Sequence, residues 1–165
     1  MIKNKKISQL VCILIYVISF YISYLITPES ISNIWLKITI WHIYATLFIH
    51  IGSVILKNSS LYDPFWSVAP VPIVIYLATQ YQNSTTLKVL VLGPILFWAI
   101  RLTRNWIISW KGFNHEDFRY IDLKNTNKFK AEFNNFFGIH LFPTLIVNLG
   151  LFPILYVLTN NVSVN

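Results

Sequence analysis

Five apolar stretches, separated by short polar segments, divide the chain. The first runs from Ile7 to Ile26 without a charged residue. About 20 such residues are what an α-helix needs to cross the hydrocarbon core of a bilayer. The stretch is longer than the core of about 7–15 residues in a signal peptide, and it ends in Tyr-Leu-Ile-Thr-Pro-Glu, without a small-residue cleavage site. We therefore expect a retained transmembrane helix.

The remaining stretches have similar lengths and are also expected to be transmembrane helices. They cover residues 35–56, 64–81, 87–110 and 136–159. Residues 129–137 place four aromatic side chains at a spacing typical of an interfacial helix leading into the last stretch. The pattern predicts an all-α membrane protein, a bundle of about five transmembrane helices that forms a single domain over residues 1–165.

Composition agrees with this pattern. The chain is 55% hydrophobic and only 12% charged, whereas soluble domains are about 45–50% apolar and about 25% charged. The net charge of +7 could suggest nucleic acid, but the basic residues lie between apolar stretches, where they orient helices and contact lipid headgroups. We expect the lipid bilayer as partner and no nucleic acid.

The basic residues also predict the orientation of the helices. Most of the basic residues lie in segments on one side of the predicted bundle, and only Lys37 and Lys88 lie on the opposite side. The side with more basic residues is expected to be cytoplasmic, which places the N-terminus in the cytoplasm. It carries Lys3, Lys5, Lys6, Lys57, Lys111, Arg119, Lys124, Lys128 and Lys130.

The fourth stretch carries charge inside an otherwise apolar run. Arg101 lies nine residues before Trp110, roughly 13 Å from the predicted helix end at 1.5 Å per residue. Arg104 and Asn105 follow three and four residues later, so the three are predicted to form one polar stripe that Trp98 continues. The stripe either anchors the helix by snorkelling or contacts an anion or a cofactor.

The segment after this stretch concentrates polar groups with possible chemistry. Glu116, Asp117, Arg119 and Tyr120 occur within five residues. They could form a solvated helix beside the membrane, stabilised by weak local ion pairs. Alternatively, carboxylate, guanidinium and phenol together could bind the ribose, phosphate or amide of a nucleotide.

Other polar residues within the apolar stretches have structural interpretations. Asp63 precedes Pro64 and could cap the third helix. His42 and His50 are eight residues apart and are predicted to lie on one helical face. We expect them to hydrogen-bond to packed helices, with a proton relay as the lesser alternative. The role of His140 stays open, and no spacing suggests a metal site.

Three motifs carry a resemblance to a known family. They are S-L-Y-D-P-F-W-S at 60–67, R-L-T-R-N-W-I-I-S-W-K-G at 101–112 and H-E-D-F-R-Y at 115–120. Their order resembles that in the steroid 5-alpha-reductase-like membrane proteins, a group often filed as a domain of unknown function. There an Asp-x-x-Trp element opens a span, an Arg-Leu pair ends a later span and a Glu-Asp-x-Arg-Tyr element follows. The matching residues are Asp63, Trp66, Arg101, Leu102, Glu116, Asp117, Arg119 and Tyr120.

The resemblance implies an activity and a cofactor. The better-known members use NADPH to reduce a carbon–carbon double bond conjugated to a carbonyl in a steroid or another lipid. The residues expected to contact the cofactor are Arg101, Glu116, Asp117, Arg119 and Tyr120. Those expected to line the bundle or contact a hydrophobic lipid substrate are Asp63, Trp66, Arg104 and Asn105.

The chain also departs from the family pattern. Members usually continue into a C-terminal half with an Arg-His-Pro-Asn-Tyr-type element, and nothing after Thr159 resembles it. The carboxylate–tyrosine pair of the true steroid reductases cannot be placed in this sequence. We therefore expect a truncated or split member that acts with a separate C-terminal half or as a homo-oligomer. The alternative is a non-enzymatic scaffold or transporter-like bundle in which His42, His50 and Arg101 join helices.

Overall fold

The computed structural model describes residues 4–160 as helices and short connections. Lys3 and the polar tail after Asn160 lie outside the described residues. The helices, in chain order, are α1 (Lys5–Ile26), α2 (Ile34–Leu56), a short 3-10 helix (Ser59–Tyr62), α3 (Phe65–Val68), α4 (Pro70–Gln80), α5 (Thr85–Ser109), α6 (Phe118–Lys124), α7 (Lys128–Phe133), a π-helical segment (Asn134–Leu141), α8 (Phe142–Gly150) and α9 (Phe152–Thr159).

Within residues 4–160, five helical spans are long and apolar enough to cross a membrane. They are α1, α2, Ser59–Gln80 (the third span), α5 and Lys128–Thr159 (the fifth span). The chain is thus an integral, multi-pass membrane protein, and the predicted all-α fold is confirmed. Its orientation in the membrane stays a prediction.

Helical structure begins ahead of the third and fifth apolar stretches. Asn58 caps the 3-10 helix by accepting a hydrogen bond from the Ser60 N–H, and Asn127 caps α7 in the same way. Because each cap satisfies free N–H groups, helix forms before the apolar run starts. The predicted span 64–81 is thus preceded by a 3-10 helix, and the span 136–159 by the helix predicted at residues 129–137; the membrane boundaries of both spans stay predictions. Pro70 follows a break at Ala69 that separates α3 from α4, as a proline within a helix requires.

The third span lies at the centre of the bundle. It is the most buried of the five spans, and α5 is the least buried. Phe65 is fully buried and packs against the rings of Tyr16 and Phe20 in α1, at centroid distances of 5.6 and 5.5 Å. Since α5 covers one side of this core loosely, grooves remain along it.

Polar side chains join α2 to the fifth span. The hydroxyls of Thr46 and Thr144 lie 2.9 Å apart, and the Tyr62 hydroxyl lies 2.8 Å from that of Thr144. His42 is buried and interacts with the Asn148 side chain of the fifth span. The predicted contact of His42 with a packed helix is therefore present, and the threonines add shorter hydrogen bonds beside it.

His50 and His140 pack against each other, with ring centroids 5.0 Å apart. His140 Nδ1 lies 2.7 Å from the Asn135 carbonyl oxygen. A carbonyl oxygen only accepts, so this nitrogen carries the proton. The contact uses the carbonyl five residues earlier, which the π-helical turn directs toward the ring.

Candidate functional site

The site forms where the connection after α5 folds back onto the 3-10 helix. The side-chain amide of Asn58 donates to the carbonyl oxygens of Phe113 and His115, at 3.1 and 3.2 Å. The Asp117 N–H donates to Ser60 Oγ at 2.9 Å. These bonds satisfy backbone groups of an irregular segment and bring residues 115–120 against residues 58–63.

The carboxylate of Glu116 has its interaction partners within the protein. Its carboxylate accepts a hydrogen bond from the Ser59 N–H at 2.6 Å and forms an ion pair with Lys124. The carboxylate side chain is only 15% exposed. The structure therefore gives Glu116 a structural role in joining α6 to the third span, and its predicted contact with a cofactor stays untested.

Replacing Glu116 with alanine is expected to destabilise the protein by about 2 kcal/mol, because the buried Ser59 N–H loses its acceptor and Lys124 loses its ion-pair partner, keeping only the Ser59 hydroxyl. The melting temperature in detergent should fall by several degrees, while the dissociation constant for NADPH stays the same. Glu132→Ala, which removes an exposed carboxylate from α7, is the control and should leave both unchanged. A selective loss of NADPH binding in Glu116→Ala would restore the predicted cofactor role.

Asp117 and Arg119 form a bidentate ion pair at the mouth of the site. Arg119 Nε and Nη2 donate to the two Asp117 carboxylate oxygens, both at 2.8 Å. The hydrogen bonds from Arg119 lower the pKa of Asp117, and the Asp117 carboxylate raises the pKa of Arg119. The Arg119 side chain is 64% exposed, so its guanidinium can still contact a ligand.

Tyr120 and Asp63 form a carboxylate–phenol pair deeper in the site. The Tyr120 hydroxyl donates to Asp63 Oδ1 at 2.6 Å. Burial and the neighbouring Asp63 carboxylate raise the pKa of Tyr120, which keeps the phenol protonated. Asp63 does not cap α3, whose first turn has no side-chain cap. The capping interpretation is wrong, because the carboxylate faces Tyr120.

These groups line a cavity of about 530 Å³. Its opposite wall comes from one face of α5, with Asn105, Trp106 and Ser109, and continues to Trp110 and Lys111. This volume lies within the range of roughly 300–1,000 Å³ that small ligands occupy. We refer to it as the polar cavity.

Two tryptophans in this wall were missed by the sequence reasoning. The rings of Trp106 and Trp110 stack at 4.9 Å, and their indole N–H groups are buried without a partner among the described residues. Both side chains line the polar cavity with their rings, whereas their indole N–H groups are covered by protein. Their spacing of four residues, next to Asn105, was the available signal.

Arg101 and Arg104 lie outside this wall. Both are exposed on α5 and neither lines the polar cavity. Arg101, Arg104 and Asn105 are all exposed on one face of α5, as the predicted stripe requires, but only Asn105 lies at the edge of that face that borders the polar cavity, beside Leu102 and Ser109. The cofactor contact predicted for Arg101 stays untested.

A second cavity lies beyond the carboxylate–phenol pair, with a volume of about 390 Å³. Trp66, Arg119 and Tyr120 border both cavities. Trp66 packs edge-on against Trp98 of α5, with ring centroids 5.5 Å apart. Tyr120 thus lies in the wall that separates the polar cavity from the second, more apolar cavity.

Residues 47–164 match a family described as "Protein of unknown function (DUF1295)". The matched region includes both members of the carboxylate–phenol pair and both cavities. No curated protein and no solved structure gives a significant match.

Proposed function

The chain belongs to the DUF1295 family, and from this premise we propose that it is a membrane-embedded oxidoreductase. The proposed reaction is the NADPH-dependent reduction of a carbon–carbon double bond conjugated to a carbonyl in a lipid. The hydrogen bond between Tyr120 and Asp63, in the wall between two cavities, carries this proposal. It is the kind of polar pair that such a reduction requires at the carbonyl oxygen.

The resemblance to steroid 5-alpha-reductase-like proteins supports the same proposal. Six of its eight matching residues line the polar cavity, although they come from three distant parts of the chain. Residues that matched the family only because they maintain its fold would not need to line the same cavity. The six are Asp63, Trp66, Leu102, Asp117, Arg119 and Tyr120.

The residues around the polar cavity fit a nicotinamide nucleotide. Lys111 and Arg119 supply positive charge at its mouth, where phosphates would bind. Trp106 and Trp110 add aromatic rings to the wall of the same cavity. Asn105 adds a side-chain amide, which can donate to and accept from the nicotinamide carboxamide.

The chemistry assigned to the chain is stabilisation of negative charge on the substrate oxygen. When bound, NADPH supplies the hydride for the β carbon and water supplies the proton for the α carbon, so the double bond becomes a single bond. Tyr120 donates a hydrogen bond to the carbonyl oxygen, where charge accumulates during the reaction. Its raised pKa keeps this donor protonated at neutral pH.

Asp63 acts as the positioning residue for Tyr120. The phenol has one proton, which the structure directs to Asp63 Oδ1. Donation to a substrate oxygen therefore requires Asp63 to hold a proton and to donate it to the phenol oxygen. Asp63→Asn keeps such a donor and should retain most activity, whereas Asp63→Ala should not.

Tryptophan fluorescence tests the proposed cofactor. NADPH should quench the emission of the purified chain in nanodiscs, because Trp66, Trp106 and Trp110 line the polar cavity. Arg119→Ala should weaken this binding about tenfold or more, since it removes a phosphate contact and leaves Asp117 without its partner. Titration of the quench with NADPH measures both effects.

The matched control is Lys128→Ala, which removes the same charge from an exposed position outside the cavity. It should bind NADPH like the unmodified chain. If NADPH causes no quench in the unmodified chain, or if both variants weaken it equally, the proposed function is wrong. The non-enzymatic scaffold then becomes the better interpretation.

A further inference from the structure

The second cavity continues into the membrane-spanning part of the bundle. From Tyr62, Trp66 and Tyr120 it extends along the fifth span to Val147. A third cavity, of about 400 Å³, begins at Val147 and runs between Trp98 and Gly150. Val147 lines both, and Pro143, Val147 and Gly150 follow one face of the fifth span, so the two cavities adjoin along that helix; we treat them as two lobes of one groove, the lateral groove.

The outer lobe of the lateral groove lies between α5 and the fifth span, whereas the inner lobe lies between the third span, α6 and the fifth span. The outer lobe is lined by apolar side chains and by Gly150, with Pro70 of α4 and Pro94 of α5 among them. Next to it, Phe97 of α5 and Leu149 of the fifth span are 71% and 61% exposed. Such side chains face the hydrocarbon core in a membrane protein, so the groove is accessible from the bilayer.

The two ends of the groove differ in chemistry. The inner end carries the Tyr120 phenol and the Arg119 side chain, whereas the outer end has an apolar lining. The distance between the ends follows from the fifth span, since Gly138 lines the inner lobe and Gly150 the outer. The twelve residues between them span about 18 Å at 1.5 Å per residue.

We propose that the lateral groove holds the single linear chain of an amphipathic lipid, whose conjugated carbonyl lies at Tyr120. The lipid enters from the bilayer between α5 and the fifth span, while the nucleotide enters through the polar cavity. This inference rests on the proposed function, and it identifies the substrate as a long-chain enone or enal.

The shape of the groove favours a chain over fused rings. Its two lobes meet at Val147 and extend over about 18 Å. A flexible chain can follow both lobes and gains apolar contact with each methylene that it buries. A rigid fused-ring nucleus would occupy one lobe and leave the other lobe unfilled.

Two glycines allow the groove to be filled without distorting the helix. A Cβ added at Gly138 or at Gly150 meets no other atom within 4 Å. Leucine at either position therefore projects into open space, and it favours helix more than glycine does. Gly93 of α5 is equally open and lines neither lobe of the groove, so Gly93→Leu is the matched control.

The experiment measures binding of a linear enone of palmitoyl chain length in nanodiscs. A tritiated probe and scintillation proximity detect binding without any cofactor. Gly138→Leu and Gly150→Leu should each weaken binding about tenfold, since each displaces methylenes of the chain. Gly93→Leu should bind normally, and cholestenone, a fused-ring enone, should compete poorly. Gly138→Ala and Gly150→Ala provide smaller additions and should give smaller losses.

The outcomes separate this inference from the proposed function. The proposal that the lateral groove holds the lipid chain would be overturned if the linear enone bound equally well to Gly93→Leu, Gly138→Leu and Gly150→Leu. It would also be overturned if cholestenone competed as well as the linear enone. Either result can occur while NADPH still quenches the tryptophans. Conversely, groove-dependent binding of the linear enone without any NADPH quench supports the lipid site and removes the proposed cofactor.

Discussion

Tyr120→Phe is expected to reduce the turnover of a linear enone by about 10²–10³-fold, because it removes one hydrogen-bond donor to the developing oxyanion. Phenylalanine keeps the ring in the wall between the polar cavity and the lateral groove, so both cavities should retain their shape. Following NADPH oxidation by its absorbance, at saturating enone, measures the loss in kcat. The NADPH quench and the binding of the tritiated enone should remain within about twofold of the unmodified chain.

The Asp63 variants make this test specific. Asp63→Asn retains a donor to the phenol oxygen and should keep most of the turnover, whereas Asp63→Ala should approach the level of Tyr120→Phe. A purely structural carboxylate–phenol pair would affect melting temperature and turnover in parallel in all three variants. Unchanged turnover in Tyr120→Phe would contradict the assigned role of the phenol.

Gly112→Val is expected to have the largest effect on stability, about 3 kcal/mol. Gly112 has a φ of +86°, a conformation that costs an L-residue about 1–2 kcal/mol and a β-branched residue more. An added Cβ would also lie 3.2 Å from Ser8 Oγ and 3.4 Å from the Lys5 Cα. The first turn of α1 would have to move away from the segment that carries Trp110 and Lys111 into the polar cavity.

Thermal unfolding in detergent checks this prediction. A loss of this size corresponds to a decrease of about 6–12 °C in melting temperature. Gly112→Ala should give a smaller decrease, and Gly93→Val, at an open helical position, should give none. A melting temperature unchanged in Gly112→Val would show that the contact between the connection and α1 is not maintained.

Much of the fold was predictable because membrane burial acts on local sequence. A span must satisfy its own backbone hydrogen bonds within the hydrocarbon, so each long apolar run forms a helix whatever its neighbours are. A side-chain cap that hydropathy does not reveal, at Asn58, begins a 3-10 helix ahead of the predicted third span. The spacing of Arg101, Arg104 and Asn105 was correct as a helical face, yet the direction of that face was not available from one helix alone.

The candidate site was predictable only as a set of residues. The motifs selected Asp63, Asp117, Arg119 and Tyr120, all of which line the polar cavity. Their partners were not predictable, because Tyr120 and Asp63 are 57 residues apart and meet only when the connection folds back. The expected cofactor role of these residues and the expected need for a separate C-terminal half stay predictions.

The sequence by itself determined that this is a helical membrane protein with a polar segment at the end of its fourth span. Hydrophobicity and helical periodicity are local properties, and they suffice for that conclusion. Only the tertiary structure decided which polar residues are paired, which face a cavity and which face outward. In the folded chain Glu116 contacts Lys124 and Tyr120 contacts Asp63, whereas Arg101 does not line the polar cavity. These outcomes depend on the packing of the third span against its neighbours, which no single stretch of the sequence contains.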